Sequence, residues 1–240
     1  MTTTDFEVDC LAFDTGGTVF DWHSGLVESF RRAGANAGVT ADWAALAKTW
    51  RRLSTDFVKR LTIENDGRMD QDMDDVLHTT LKDTLFAHGV RGLEGEADSL
   101  VRGWRTLPPW PDAVEGLTRL RTRFVVVSFT ILRTALVIEA SRRAGVHWDA
   151  VFSCEMTGVY KTAPDSYRNT ARWLDVPPDR IILATAHNND LTAAHANGFR
   201  TAFIKRPAEW GGDPHPDPQP AKEAEWIADD IVHLADLLGV

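Results

Sequence analysis

Cys10-Leu11-Ala12-Phe13-Asp14-Thr15-Gly16-Gly17-Thr18 is an apolar run that stops on a carboxylate and passes at once into glycines and a hydroxyl. A short run bounded by turn residues predicts a strand buried on both faces. Asp14 then stands at the carboxyl end of that strand among free backbone N–H groups, where a carboxylate can act as a nucleophile. The same residue also suits a plain turn cap, so the stretch gains meaning only from what surrounds it.

Outward from it, apolar runs recur at residues 124–127, 150–153, 181–184 and 201–204, each followed by a helical pattern. Runs of this kind, separated by helices, predict an α/β fold with a parallel sheet. Ligands of such sheets bind at the carboxyl ends of the strands. Asp14, Ser128 and Thr185 fall there, with Lys161 after the third run and Asp190 after the fourth.

Between the first and second runs lie residues 22–108, where apolar residues are spaced by three and four over 43–61 and again over 70–87. No strand pattern interrupts them, which predicts an all-helical cap over 22–108 and a core made of 1–21 and 109–240. Leu107-Pro108-Pro109-Trp110-Pro111 reads as a stiff return hinge, because proline stops helices and fixes φ. The proline-rich stretch 211–220 reads as a surface loop.

The composition fits a folded globular chain, with 43% hydrophobic and 25% charged residues. A net charge of −9 argues against general affinity for nucleic acid or an anionic membrane. Cys10 and Cys154 sit in apolar runs and read as buried thiols, not a disulfide. No run approaches a membrane span and the N-terminus lacks a signal pattern, so a cytoplasmic location is expected.

The order Asp14, Ser128, Lys161, Asp190 along an α/β chain resembles the haloacid dehalogenase superfamily, and in detail its type II 2-haloacid dehalogenases. The most specific stretches are Phe13-Asp14 through Thr18-Val19-Phe20-Asp21-Trp22, Tyr160-Lys161 with Tyr167, and Ala186-His187-Asn188 with Asp190-Leu191. The resemblance implies a Rossmann-like core with a helical cap inserted after the first strand. It also implies hydrolysis of a small carboxylate substrate through an ester on Asp14, and a homodimer.

Superfamily phosphatases place a second Asp two residues after the nucleophile and further carboxylates near the last Asp. Here those places hold Gly16 and Leu191-Thr192-Ala193-Ala194-His195, poor provision for a hard cation. No metal or other cofactor is therefore expected. On the same resemblance Lys161 keeps Asp14 ionised, Asp190 positions or activates the hydrolytic water, and His187 is a candidate base. Thr18, Ser128, Phe129, Tyr167, Thr185 and Asn188 are the expected substrate-side residues. Arg51 of Trp50-Arg51 resembles the arginine that receives the leaving group, with Arg52 one residue away.

Two positions depart from the pattern. Relatives carry Ser-Asn-Gly where this chain has Ser128-Phe129-Thr130, and an aromatic where it has Gly16. Phe129 weakens the case for a halide cradle and leaves open a second reading, in which Asp14 opens a small strained ring of a carboxylic or imino acid. A magnesium phosphatase and a non-catalytic binding protein are the remaining alternatives.

Overall fold

A computed structural model of the chain describes residues 7–240. Strand β1 (Cys10–Phe13) is followed by four helices, α1 (Trp22–Ala37), α2 (Trp43–Glu64), α3 (Met73–Ala87) and α4 (Ala97–Gly103). The core resumes with α5 (Ala113–Leu120), β2 (Val125–Thr130), α6 (Thr134–Ala144), β3 (Ala150–Ser153), α7 (Cys154–Thr157) and α8 (Pro164–Leu174). It closes with β4 (Ile181–Thr185), α9 (Asn188–Ala196), β5 (Arg200–Ile204), β6 (Trp226–Ala228) and α10 (Ile231–Leu237).

The strands form one parallel sheet in the order β3-β2-β1-β4-β5-β6. All four residues of β1 are buried, as the uninterrupted apolar run requires of a central strand covered on both faces. In register, Phe13 lies between Ser128 and Ala184, so the next residue, Asp14, emerges between the tips of β2 and β4. Strand order reverses there, which opens the crevice where open α/β sheets bind ligands.

Sequence patterning located five strands but placed the second too early. It starts at Val125 and runs through Ser128 to Thr130, putting Ser128 inside the strand. The three-residue β6 is too short to carry a periodic signal. Helix α3 starts at Met73 because the Asp72 side chain caps it by accepting from Asp75 N–H. On α2 the buried face runs through Leu46, Ala47, Trp50, Ser54, Val58 and Leu61, with Leu53 and Phe57 only partly covered.

The cap packs on a nucleus of aromatics. Trp50 meets Phe30 and Trp104 edge-on, with ring centroids 5.5 and 5.9 Å apart. The Trp50 indole N–H donates to the Leu77 carbonyl at 3.0 Å, which removes the cost of burying it. The two chain crossings into the cap run side by side. Asp21 N–H donates to Pro108 O at 2.8 Å, and Trp110 N–H to Val19 O at 2.9 Å. Arg206 locks this crossing from the core, with a bidentate pair to Asp112 at 2.7 and 2.8 Å and a third bond to Thr18 O at 2.9 Å. Cys10 and Cys154 are buried free thiols. Among the described residues no helix is long and apolar enough to cross a membrane.

Candidate active site

The chain turns tightly after β1. Val19 and Phe20 N–H both donate to Thr15 O at 2.9 Å, which brings Thr18 back over the strand tip. The Thr18 hydroxyl donates to Asp14 Oδ2 at 2.8 Å and accepts from Ala186 N–H at 3.0 Å, fixing the carboxylate between β1 and β4. The Asp14 side chain is 13% exposed, enough to meet a ligand from one side.

Lys161 approaches the other oxygen, with Nζ 3.4 Å from Asp14 Oδ1. The same ammonium donates to Asp190 Oδ2 at 2.7 Å, and the Tyr167 hydroxyl donates to Asp190 Oδ1 at 2.6 Å. Lys161 also lies over the Phe129 ring, 4.4 Å from its centroid. Tyr167 meets that ring edge-on at 5.3 Å. Phe129 is thus a fully buried floor beneath the lysine, and the side chain nearest a Cβ at Gly16 would be Leu132, at 3.7 Å. Burial disfavours the Lys161 charge, but Asp190 and Asp14 outweigh it and raise its pKa.

On the Oδ2 side stands His187, its Nδ1 3.2 Å from Asp14 Oδ2 and its Nε2 3.1 Å from Glu209 Oε1. Glu209 is itself buried and takes two further donors, Trp22 Nε1–H at 2.7 Å and His215 Nε2 at 2.6 Å. Both His187 nitrogens face carboxylates, so the ring is held as an imidazolium. Burial would lower its pKa, yet Glu209 and Asp14 push it up to about 10. Burial works against the Asp14 charge too, and is outweighed by Lys161, His187 and the Thr18 bond, which hold its carboxyl well below the usual range. The Glu209 carboxyl is depressed in the same way, against burial, by His187, His215 and Arg51.

Glu209 and His215 were not among the residues singled out in the sequence. Their place explains the second glycine of the opening motif. A Cβ on Gly17 would lie 2.2 Å from Glu209 Oε1, and Gly17 has φ +102°, so no other residue fits.

The remaining expected residues divide. The buried Ser128 Oγ has no hydrogen-bond partner among the described residues. Arg51, not Arg52, turns inward: it is buried, donates to Gly16 O at 3.1 Å and lies 5.7 Å from the Trp22 ring centroid, whereas Arg52 is exposed. Thr185 and Asn188, expected on the substrate side, have their side chains engaged elsewhere. The Thr185 hydroxyl accepts from His187 N–H at 3.1 Å. The Asn188 amide donates to Gln219 O at 2.8 Å and accepts from Ala221 N–H at 2.7 Å, tying down the 211–220 loop.

With this geometry in hand, comparison with known proteins identifies the family. A model described as haloacid dehalogenase-like hydrolase matches residues 8–198. The chain belongs to the haloacid dehalogenase-like hydrolases. Within that family, it is 25% identical over 197 residues to (S)-2-haloacid dehalogenase 4A of Burkholderia cepacia, covering 81% of each chain. It is 24% identical over 200 residues to the (S)-2-haloacid dehalogenase of Xanthobacter autotrophicus, covering 83% of this chain and 76% of that one. The solved structure of the defluorinating L-2-haloacid dehalogenase Rha0230 matches with a TM-score of 0.90 and 33% identity, over 97% of this chain and 96% of that one.

A haloacid dehalogenase-like hydrolase that used a divalent cation at this strand tip would draw oxygens from Asp14, the Gly16 carbonyl and Asp190. Here Gly16 O accepts from Arg51, and Asp190 accepts from Lys161 and Tyr167. Asp14 is flanked by two cationic side chains. This set does not fit a divalent ion.

Proposed function

We propose that this hydrolase is a metal-independent 2-haloacid dehalogenase acting on a small 2-halocarboxylate through an ester on Asp14. The observation that carries this reading is an ionised Asp14 placed between the ammonium of Lys161 and the imidazolium of His187. Such a carboxylate is a ready nucleophile and a poor base. Oδ1, with only the 3.4 Å contact to Lys161, is the freer oxygen. It forms a bond to C2 while the carbon–halogen bond breaks and the halide leaves with the electron pair. Arg51 is the cation available to the leaving group, and the unpartnered Ser128 hydroxyl suits the substrate carboxylate. The (S)-2-haloacid dehalogenases among its relatives support the same substrate class.

Esterification removes one of the two anions that hold the proton on His187. The proton passes to solvent, and neutral His187, still oriented by Glu209, takes a proton from the water that attacks the Asp14 carbonyl carbon. As the ester C–O bond breaks, the departing alkoxide is protonated by His187. The new Asp14 carboxyl then returns its proton to the ring. Overall, halide, one proton and a 2-hydroxy acid are released. This assigns the water-activating role to His187. Asp190, both of whose oxygens are occupied, holds Lys161 in place.

The test is halide release from 2-chloropropionate in excess chelator. Steady release at a rate unchanged by added magnesium is the expected result. Turnover that requires magnesium, or phosphate-ester hydrolysis in place of halide release, would overturn the reading.

A further inference from the structure

We propose that His215 is a positioning residue for hydrolysis of the ester, holding Glu209 as the carboxylate partner of His187 and so making the 211–220 loop part of the catalytic apparatus. This rests on the dehalogenase reading for its kinetic consequences, but its structural core does not. The His215 ring has only one arrangement that satisfies its neighbours. Asp217 N–H donates to Nδ1 at 2.9 Å, so the ring proton is on Nε2, which lies 2.6 Å from Glu209 Oε2. A fixed tautomer of this kind makes His215 a one-way donor. Its effect is on geometry and charge: it occupies the Glu209 oxygen that His187 does not use.

The loop is anchored for this task at both ends. Lys48 of α2 binds Asp213 at 2.6 Å, and Asn188 N–H donates to Asp217 Oδ2 at 3.2 Å, beside the amide bonds to Gln219 and Ala221 described above. The His187 and His215 rings lie 6.4 Å apart and nearly parallel, at 21°. The titratable and charged groups around His187 are Asp14 on the β1 turn, Glu209 just before the loop with Arg51 near it, the His215 ring on the loop, Asp217 bonded to the neighbouring Asn188 N–H, and Lys161 with Asp190 beyond Asp14. Of these, Glu209 alone stays both charged and bonded to the ring once Asp14 becomes an ester. A Glu209 released from His215 loses a donor that stabilises its anion, so it becomes more basic and holds the His187 proton more tightly.

His215→Ala and His215→Gln separate positioning from general support, because the glutamine amide can still donate to Glu209. With ¹³C-labelled histidine, the His187 ring signal is identified by its loss in His187→Gln and followed against pH in the resting enzyme. In His215→Ala its midpoint should move up by about one pH unit, which leaves less neutral base for ester hydrolysis, and in His215→Gln it should stay near the wild-type value. With 2-chloropropionate, His215→Ala should slow ester hydrolysis about ten-fold while kcat/KM for ester formation stays within about two-fold. An unmoved His187 midpoint in His215→Ala overturns the proposal, as does an equal loss in both chemical steps. If the wild-type protein forms no ester, the dehalogenase reading fails by itself, and the resting-state titration still decides whether His215 positions Glu209.

Discussion

Asp14→Asn is expected to lower chloride release from 2-chloropropionate by at least about 10³-fold while the protein stays folded. The amide has the shape of the carboxylate but no anionic oxygen to displace halide, and the ester cannot form. Its side chain can still accept from Thr18, whose hydroxyl also receives Ala186 N–H, so the turn keeps its bonds. The substitution removes the anion shared by Lys161 and His187, but each retains a carboxylate partner, Asp190 and Glu209 respectively. The fold should therefore tolerate a change that the chemistry does not. Initial rates with a thermal unfolding curve check both halves, and activity within ten-fold of wild type in a folded variant would exclude Asp14 as the nucleophile.

The second large effect falls on the later step. His187→Gln should leave ester formation close to wild type but slow ester hydrolysis by about 10²–10⁴-fold, the range typical of losing a general base. Mixing enzyme with excess substrate should then give a burst of one halide per active site followed by a slow steady rate. The protein mass should rise by the 1-carboxyethyl group carried on Asp14. The pH dependence has a definite sign. In the resting enzyme His187 is charged through neutrality, since Glu209 and Asp14 raise its pKa to about 10 against burial. It becomes a base only in its neutral form, so wild-type ester hydrolysis should speed up as pH rises through the lowered pKa of the ester state, and the variant should lose that limb. A variant with no burst, slowed equally in both steps, would return water activation to another group.

Much of the fold was readable because its elements are short, buried and punctuated. The β1 run, the turn glycines and the prolines at 107–111 each act on the local chain, and local physics suffices to place them. Asp14, Lys161 and Asp190 were legible because each follows a strand in a parallel sheet, and the register of β1 against β2 and β4 brings them together. The choice between Arg51 and Arg52 was not, because one residue of helix turns a side chain by about 100° and both suit an α2 surface. Glu209 and His215 were invisible for a different reason. They lie in a segment without periodicity, and they matter only because the turn carrying Glu209 folds against Gly17 and the loop after it brings His215 to Glu209. The available hint was Gly17 itself: a second glycine after the nucleophile is needed where another group must approach closely. Phe129 has a packing role that its sequence position did not signal. As sequence it stands where relatives have an asparagine, yet in the fold its ring supports the Lys161 ammonium.

The central claim is that an oxygen of Asp14 becomes part of the product. In a single turnover in oxygen-18 water, with enzyme in excess over 2-chloropropionate, ester formation transfers an Asp14 oxygen to C2, and solvent oxygen enters the side chain when water attacks its carbonyl carbon. Peptide mass analysis should therefore find the label in the peptide containing Asp14, and the 2-hydroxy product should carry unlabelled oxygen at C2. Labelled product with an unlabelled Asp14 peptide would mean that water attacks the substrate directly, and it would contradict the account.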